Sequence, residues 1–256
     1  MPGGGLLATL GPLRAEPGRT GIFTDFDGTL APIVAEPAAA RPLPGAGAVL
    51  AELARTYARV GVVSGRPVAF LQSFFAPELV LVGIYGLERV IGGRRQDHPL
   101  GDGWREVIDE VVADAAASGP DGMRVEPKGL SVTVHYRGRP DLAAEVRAWA
   151  ERQAGRSGLE LRSAKMSFEL HPPIPVDKGS TILELAEGLS AVVFVGDDVG
   201  DLPAFDALDV LAASGVVAVR VAVRSGESDP QVLDRADLVV DGPLGALSVL
   251  EALVVA

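Results

Sequence analysis

Two carboxylates one residue apart, Asp25 and Asp27, close a short apolar run and are followed at once by Gly28 and Thr29. In an extended strand alternate side chains share a face, so both acids leave the strand end on one side while Phe26 packs on the other. Their repulsion is about 1 kcal/mol in water and several-fold more where solvent is thinned, so the pair needs a bound cation or a shared proton. Phosphate chemistry uses such an arrangement. An Asx turn closing the strand is the ordinary alternative, because Asp-Gly is a frequent turn dipeptide.

Three further groups of residues have the same character. Gly196-Asp197-Asp198-Val199-Gly200-Asp201 follows the apolar run ending at Val195 and opens a helical stretch. Alone it reads as a helix N-cap with acids complementing the dipole, but beside a second acidic strand end it reads as part of one crevice. Ser64-Gly65-Arg66-Pro67 ends another apolar run with a hydroxyl and backbone donors that suit an anion, or simply with a Ser cap. Lys178 stands at a helix start, where its charge opposes the macrodipole by about 0.3 to 1 kcal/mol. Either Asp177 beside it or the remote acids and a phosphate must compensate.

The elements that position these residues alternate. Strands are predicted over Thr20–Thr24, Ala58–Val63, Leu79–Ile84, Ala191–Val195, Val216–Val223 and Asp237–Val240, with helices over Gly45–Tyr57, Pro67–Phe75, Lys178–Gly188, Leu202–Leu211 and from Gly242 onward. Near-continuous apolar strands between amphipathic helices predict an α/β fold, a doubly wound parallel sheet covered on both faces. Between the halves the pattern changes. Helix Trp104–Ser118 precedes strands Met123–Glu126 and Leu130–Tyr136, and helix Leu142–Ala154 precedes strands Leu159–Ser163 and Ser167–Leu170. This αββαββ segment predicts a small α+β domain, residues 102–171, inserted into a core of residues 1–101 and 172–256. Gly92-Gly93-Arg94 through Gly101-Asp102-Gly103, and His171 through Pro175, read as paired hinges.

Composition excludes several classes. With 256 residues and 48% apolar content the chain is long enough for one large core and a smaller one. Zero cysteines exclude disulfides and thiolate metal sites, so carboxylates and a hard cation remain. A net charge of −11 argues against nucleic acid, whose binding requires clustered Lys and Arg. No apolar run reaches the roughly 18 residues of a membrane span. Met1-Pro2-Gly3-Gly4-Gly5 has no basic region of a secretory signal, so a cytoplasmic protein without a membrane partner is expected.

Asp25-Phe26-Asp27-Gly28-Thr29, then Ser64, Lys178, and Gly196-Asp197-Asp198 with Asp201, resemble the four ordered motifs of the haloacid dehalogenase superfamily of aspartate-nucleophile phosphotransferases. Finer likeness lies in Leu30-Ala31-Pro32-Ile33, Ser64-Gly65-Arg66, Gly83 through Glu88, Val125 through Ser131, His135-Tyr136-Arg137 and Phe168-Glu169-Leu170. These resemble the trehalose-6-phosphate phosphatase family. Three positions depart from it: Tyr85 and His171 stand where the family usually has His and Arg, and Gly200-Asp201-Leu202 where it has Thr-Asp-Glu.

The resemblance implies Mg2+-dependent hydrolysis of a phosphorylated disaccharide through an aspartyl-phosphate, with a phosphatase for another glycosyl phosphate as the alternative. It implies Asp25 as nucleophile, Asp27 as proton carrier, and Ser64 and Lys178 as phosphoryl-binding groups. The metal would be held by Asp25, the Asp27 backbone carbonyl and Asp197, supported by Asp198 and Asp201. The insert becomes a cap whose Glu126, Lys128 and Glu169 match the family's sugar-contacting positions, with Gly65, Arg66 and Glu88 as core candidates. His135 and Tyr136 alternate faces, so one of them packs under the cap helices. A monomer is expected.

Overall fold

The structure, a computed structural model, describes residues 3–34, 36–164, 166–226 and 228–254. Met1 and Pro2 of the N-terminal stretch read above lie outside them. The chain divides into two compact units, one built from the segments up to Gln96 and from Val176 onward, the other from Asp97–Pro175.

In chain order the first unit begins with α1 (Gly3–Ala15), β1 (Thr20–Thr24), α2 (Ala46–Ala54), β2 (Arg59–Val63), α3 (Val68–Leu71), β3 (Val80–Gly83), β4 (Glu88–Ile91) and β5 (Arg94–Arg95). The second unit follows with α4 (Arg105–Ser118), β6 (Arg124–Pro127), β7 (Val132–His135), α5 (Ala143–Ser157), β8 (Glu160–Ala164) and β9 (Ser167–His171). The first unit then resumes with α6 (Lys178–Leu185), β10 (Ala191–Gly196), α7 (Leu202–Ala213), β11 (Val217–Arg224), α8 (Pro230–Asp234), β12 (Leu238–Asp241) and α9 (Gly242–Leu253). Among the described residues no helix is long and apolar enough to cross a membrane.

The first unit carries an eight-stranded sheet in the order β12-β11-β10-β1-β2-β3-β4-β5. It is parallel from β12 to β3, and antiparallel only at β4 and β5. The central strands β1, β2 and β10 are buried almost throughout, which explains their mostly apolar sequence. Ile22 and Val193 face one core with Leu10, Leu50 and Leu250, while Phe23 and Phe194 face another with Ile182, Phe205 and Leu208. After β1 the chain runs outward to β2 and β3, and it returns at β10 on the other side of β1. That reversal is a topological switch point, where open α/β sheets leave a crevice beyond their strand ends.

Three local features differ from the sequence reading. Helix α1 was not expected from its glycine-rich start and Pro12; Leu10 and Leu13, fully buried in the core, hold it in place. The helix expected over Pro67–Phe75 shrinks to the single turn α3, because Phe74 and Phe75 turn into an aromatic cluster around Phe26. The segment beginning Gly92-Gly93-Arg94 starts as a tight hairpin and not a hinge: Ile91 pairs with Arg94 across a two-glycine loop.

The second unit has the expected αββαββ order, folded as an antiparallel sheet β6-β7-β9-β8. Ile108 and Val111 of α4 and Val146 and Trp149 of α5 pack with Val132, Val134, Phe168 and Leu170. Alternation then sends the neighbouring residues to the opposite face, where Glu126, Thr133, Glu169 and Arg162 form one cross-strand row. Tyr136 joins the apolar side, its ring 5.4 Å from Phe168, while His135 pairs with Glu126.

Candidate active site

The register of β1 and β10 places Thr24 beside Val195, so the chain leaves both strands at one level and carries Asp25 and Asp197 out together. The Asp25 N–H completes the ladder by donating to Val195 O at 2.8 Å. Beyond Asp27 the backbone turns through Gly28 at φ +80°, and a side chain there would collide with the Asp197 carboxylate. Glycine is therefore required twice over, for the left-handed turn and for the approach of the two acidic loops.

Asp25, Asp197 and Asp201 are all buried, and each offers an oxygen within 4.8 Å of the others. Lys178 enters this cluster from the first position of α6. Its Nζ lies 2.9 Å from Asp25 Oδ1 and donates to Asp201 Oδ1 at 2.6 Å. Asp177 is occupied otherwise: it caps α6, accepting from Ser180 N–H at 2.7 Å while Ser180 Oγ accepts from its own N–H. The remote carboxylates, and not Asp177, are what compensate the lysine. Asp201 Oδ2 accepts N–H bonds from Asp197 at 2.9 Å and Asp198 at 3.2 Å, which ties the loop after β10 to the lysine. Asp198 Oδ1 accepts from Gly200 N–H, so this acid caps the turn into α7.

Burial pushes the Asp25 carboxyl well above the usual carboxylate range; Lys178 opposes this, and Asp201, Asp197 and Asp198 add to it. Burial alone would discharge Lys178, but Asp201, Asp25 and Asp198 more than reverse it and hold the ammonium firmly charged. Three buried carboxylates thus cluster together, and one ammonium reaches two of them, Asp25 and Asp201. A buried charge left without compensation costs several kcal/mol, so an all-oxygen cluster of this kind fits a hard divalent cation. The residues present fit such an ion.

Asp27, 30% exposed, turns its carboxylate to Arg66. Nε donates to Oδ2 at 2.6 Å and Nη2 to Oδ1 at 2.8 Å. Ser64, at the end of β2, is buried and its Oγ accepts from Arg66 N–H at 3.3 Å. Glu88 is buried and engaged structurally: its carboxylate accepts from Val68 N–H at 2.8 Å and from Arg95 at 2.9 Å. It is therefore the N-terminal partner of α3. Sequence reading also missed the backbone at Ile84 and Tyr85, both left-handed at φ +46° and +58°. Such a conformation costs a non-glycine residue of order 1–3 kcal/mol. It is held by Ile84 N–H to Arg66 O and Tyr85 N–H to Ser64 O, each 3.1 Å, and it lays the Tyr85 ring over Gly65.

In the second unit Glu169 is almost fully buried, accepting from Ser131 Oγ at 2.5 Å with Lys128 Nζ 3.6 Å away. Glu126 is held by His135 Nε2 at 2.8 Å. Thr133 Oγ1, in the same row, is buried without a hydrogen-bond partner. Glu126, Lys128 and Glu169 thus stand together on the unit's polar side. His171, at the end of β9, is buried with Nδ1 2.8 Å from Pro172 O.

A trehalose-phosphatase family model matches residues 23–237. The trehalose-phosphate phosphatase of Mycobacterium ulcerans is 33% identical over 226 residues, covering 82% of this chain and 55% of that relative. The chain spans about half the length of the curated relatives it matches. The solved structure of a trehalose-6-phosphate phosphatase related protein is 27% identical, with a TM-score of 0.77 over 90% of this chain and 95% of that one. A haloacid dehalogenase-like hydrolase from Bacteroides thetaiotaomicron shares the fold at 16% identity and a TM-score of 0.61, over 91% of this chain and 98% of its own.

Proposed function

The chain belongs to the trehalose-phosphatase family, and from that premise we propose that it hydrolyses trehalose 6-phosphate to trehalose and phosphate through an aspartyl-phosphate. The observation that carries this reading is the contact of Lys178 with Asp25 inside a buried carboxylate cluster. Such a nucleophile is screened from an incoming dianion by a fixed positive charge.

Asp25 attacks phosphorus through one carboxylate oxygen, and the bond from phosphorus to the sugar oxygen breaks. Asp27 gives that oxygen its proton, so the sugar leaves as an alcohol. Asp27, now a carboxylate, takes a proton from water as the water oxygen attacks phosphorus and the bond to Asp25 breaks. Phosphate leaves, and both acids regain their starting forms. Lys178 and the Ser64 hydroxyl hold the transferring oxygens, where positioning and charge supply most of the catalysis. Mg2+ would be held by Asp25, Asp197 and the Asp27 backbone carbonyl, with Asp198 and Asp201 in support. When bound, it supplies positive charge that lets a carboxylate approach an anionic phosphate.

Asp97–Pro175 would serve as the cap, with Glu126, Lys128 and Glu169 presenting charged and hydrogen-bonding groups to the sugar hydroxyls. Phosphate release tested with Mg2+ across trehalose, sucrose and mannosylglycerate phosphates checks the assignment. Trehalose 6-phosphate is expected to be turned over fastest, Asp25→Asn to abolish release, and Glu169→Gln to raise KM for the disaccharide. Equal turnover of all three sugars overturns the substrate, and unchanged release by Asp25→Asn overturns the nucleophile.

A further inference from the structure

Arg66 was expected to touch substrate, yet its guanidinium is already committed. Nε and Nη2 grip both oxygens of Asp27, and Nη1 donates to Pro37 O at 2.9 Å. The plane lies over the Phe70 ring, 4.7 Å from its centroid. Phe70 in turn meets Phe26 edge-on at 5.4 Å, and Phe26 is the residue immediately before Asp27. A closed mechanical loop results, running from Asp27 through Arg66 and Phe70 to Phe26 and back along the chain. The fork of an Arg fixes carboxylate orientation in a way that a Lys point charge cannot. Each oxygen of Asp27 keeps a second lone pair for the proton it must carry.

We propose that Arg66 is a positioning residue that orients the Asp27 carboxylate for proton transfer, and not a sugar-binding residue. The inference rests on the phosphatase reading above, with Asp27 as proton carrier. The backbone N–H of Arg66 donates to Ser64 Oγ, so the same residue also braces the hydroxyl read as phosphoryl-binding.

A double-mutant cycle on the full chain with Mg2+ and trehalose 6-phosphate tests this. General acid–base catalysis is worth about 10²- to 10⁴-fold, so Arg66→Gln is expected to lower kcat by roughly 10- to 100-fold with KM changed less than about threefold. Arg66→Lys, which keeps the charge without the fork, recovers only part of the loss. If Arg66 acts through Asp27, the double variant Asp27→Asn/Arg66→Gln is no slower than Asp27→Asn alone, within about twofold. Losses that multiply, or a raised KM with kcat intact, overturn the proposal. Should Arg66→Gln not fold, Phe70→Leu removes the ring beneath the guanidinium, and its loss must likewise vanish in the Asp27→Asn background. A native chain that releases no phosphate from any sugar phosphate overturns the phosphatase reading, and this inference with it. An active native chain with multiplying losses overturns the inference alone.

Discussion

Lys178 Nζ lies 2.6 Å from Asp201 Oδ1, joining the first residue of α6 to the loop after β10, with both side chains essentially removed from solvent. Asp201 is not a bystander to the acid cluster. It spends one oxygen on the lysine and the other on two backbone N–H groups, so the position of Lys178 and the shape of the Asp197 loop are one structural fact.

Removing Lys178 leaves the buried carboxylates without their ammonium. Breaking a buried pair in this way costs about 3–5 kcal/mol. Lys178→Met is expected to lower unfolding free energy by that order in urea titrations with a chelator present, and to abolish phosphate release. A divalent cation should restore part of the stability and none of the activity. Loss of activity without destabilisation would mean that the lysine serves substrate alone.

Gly28→Ala tests the approach of the two acidic loops. The substituted residue must hold a left-handed φ, and its added carbon must displace the Asp197 carboxylate. Strain of about 1 kcal/mol is expected in unfolding, together with a tenfold or greater weakening of divalent-cation binding measured by calorimetry. Unchanged cation affinity would remove Asp197 from the cation site.

Glu88 illustrates what the sequence did and did not disclose. The strand ends carrying Asp25, Ser64 and Asp197 were legible because apolar runs, terminal acids and glycine turns are local patterns. The parallel sheet followed from strands buried on both faces. Partnerships across the chain were not legible: 39 residues separate Arg66 from Asp27, and 20 separate Glu88 from Val68. No periodicity records which of several exposed-looking charges will find a buried partner. Helix α1 was missed for the same reason, since Leu10 and Leu13 hold it through packing that overrides poor propensity.

For Glu88 this yields a distinct expectation. Glu88→Gln keeps the shape but weakens charge-assisted bonds to Val68 N–H and Arg95, so stability should fall by about 1–3 kcal/mol. KM for the sugar phosphate should stay within about twofold. A raised KM at unchanged thermal midpoint would return Glu88 to the substrate.

Metal removal should couple to pH with a definite sign. Burial and neighbouring acids raise the Asp25 carboxyl above its ordinary value, so the metal-free native state keeps a proton that the unfolded chain releases. Metal-free stability therefore falls as pH rises from the ordinary carboxylate value through the raised native one. A cation binds only the ionised form and competes with that proton. The stabilisation given by 100-fold excess of Mg2+ over its dissociation constant, about 2.7 kcal/mol at full ionisation, should thus shrink on acidification. Thermal unfolding with magnesium chloride against chelator, stepped across mildly acidic to mildly alkaline buffers, reads this directly: the gap in midpoint should widen by several degrees toward high pH. In Asp25→Asn the gap should lose most of its pH dependence. A gap in the native chain that is constant across the series would show that cation and proton do not share Asp25.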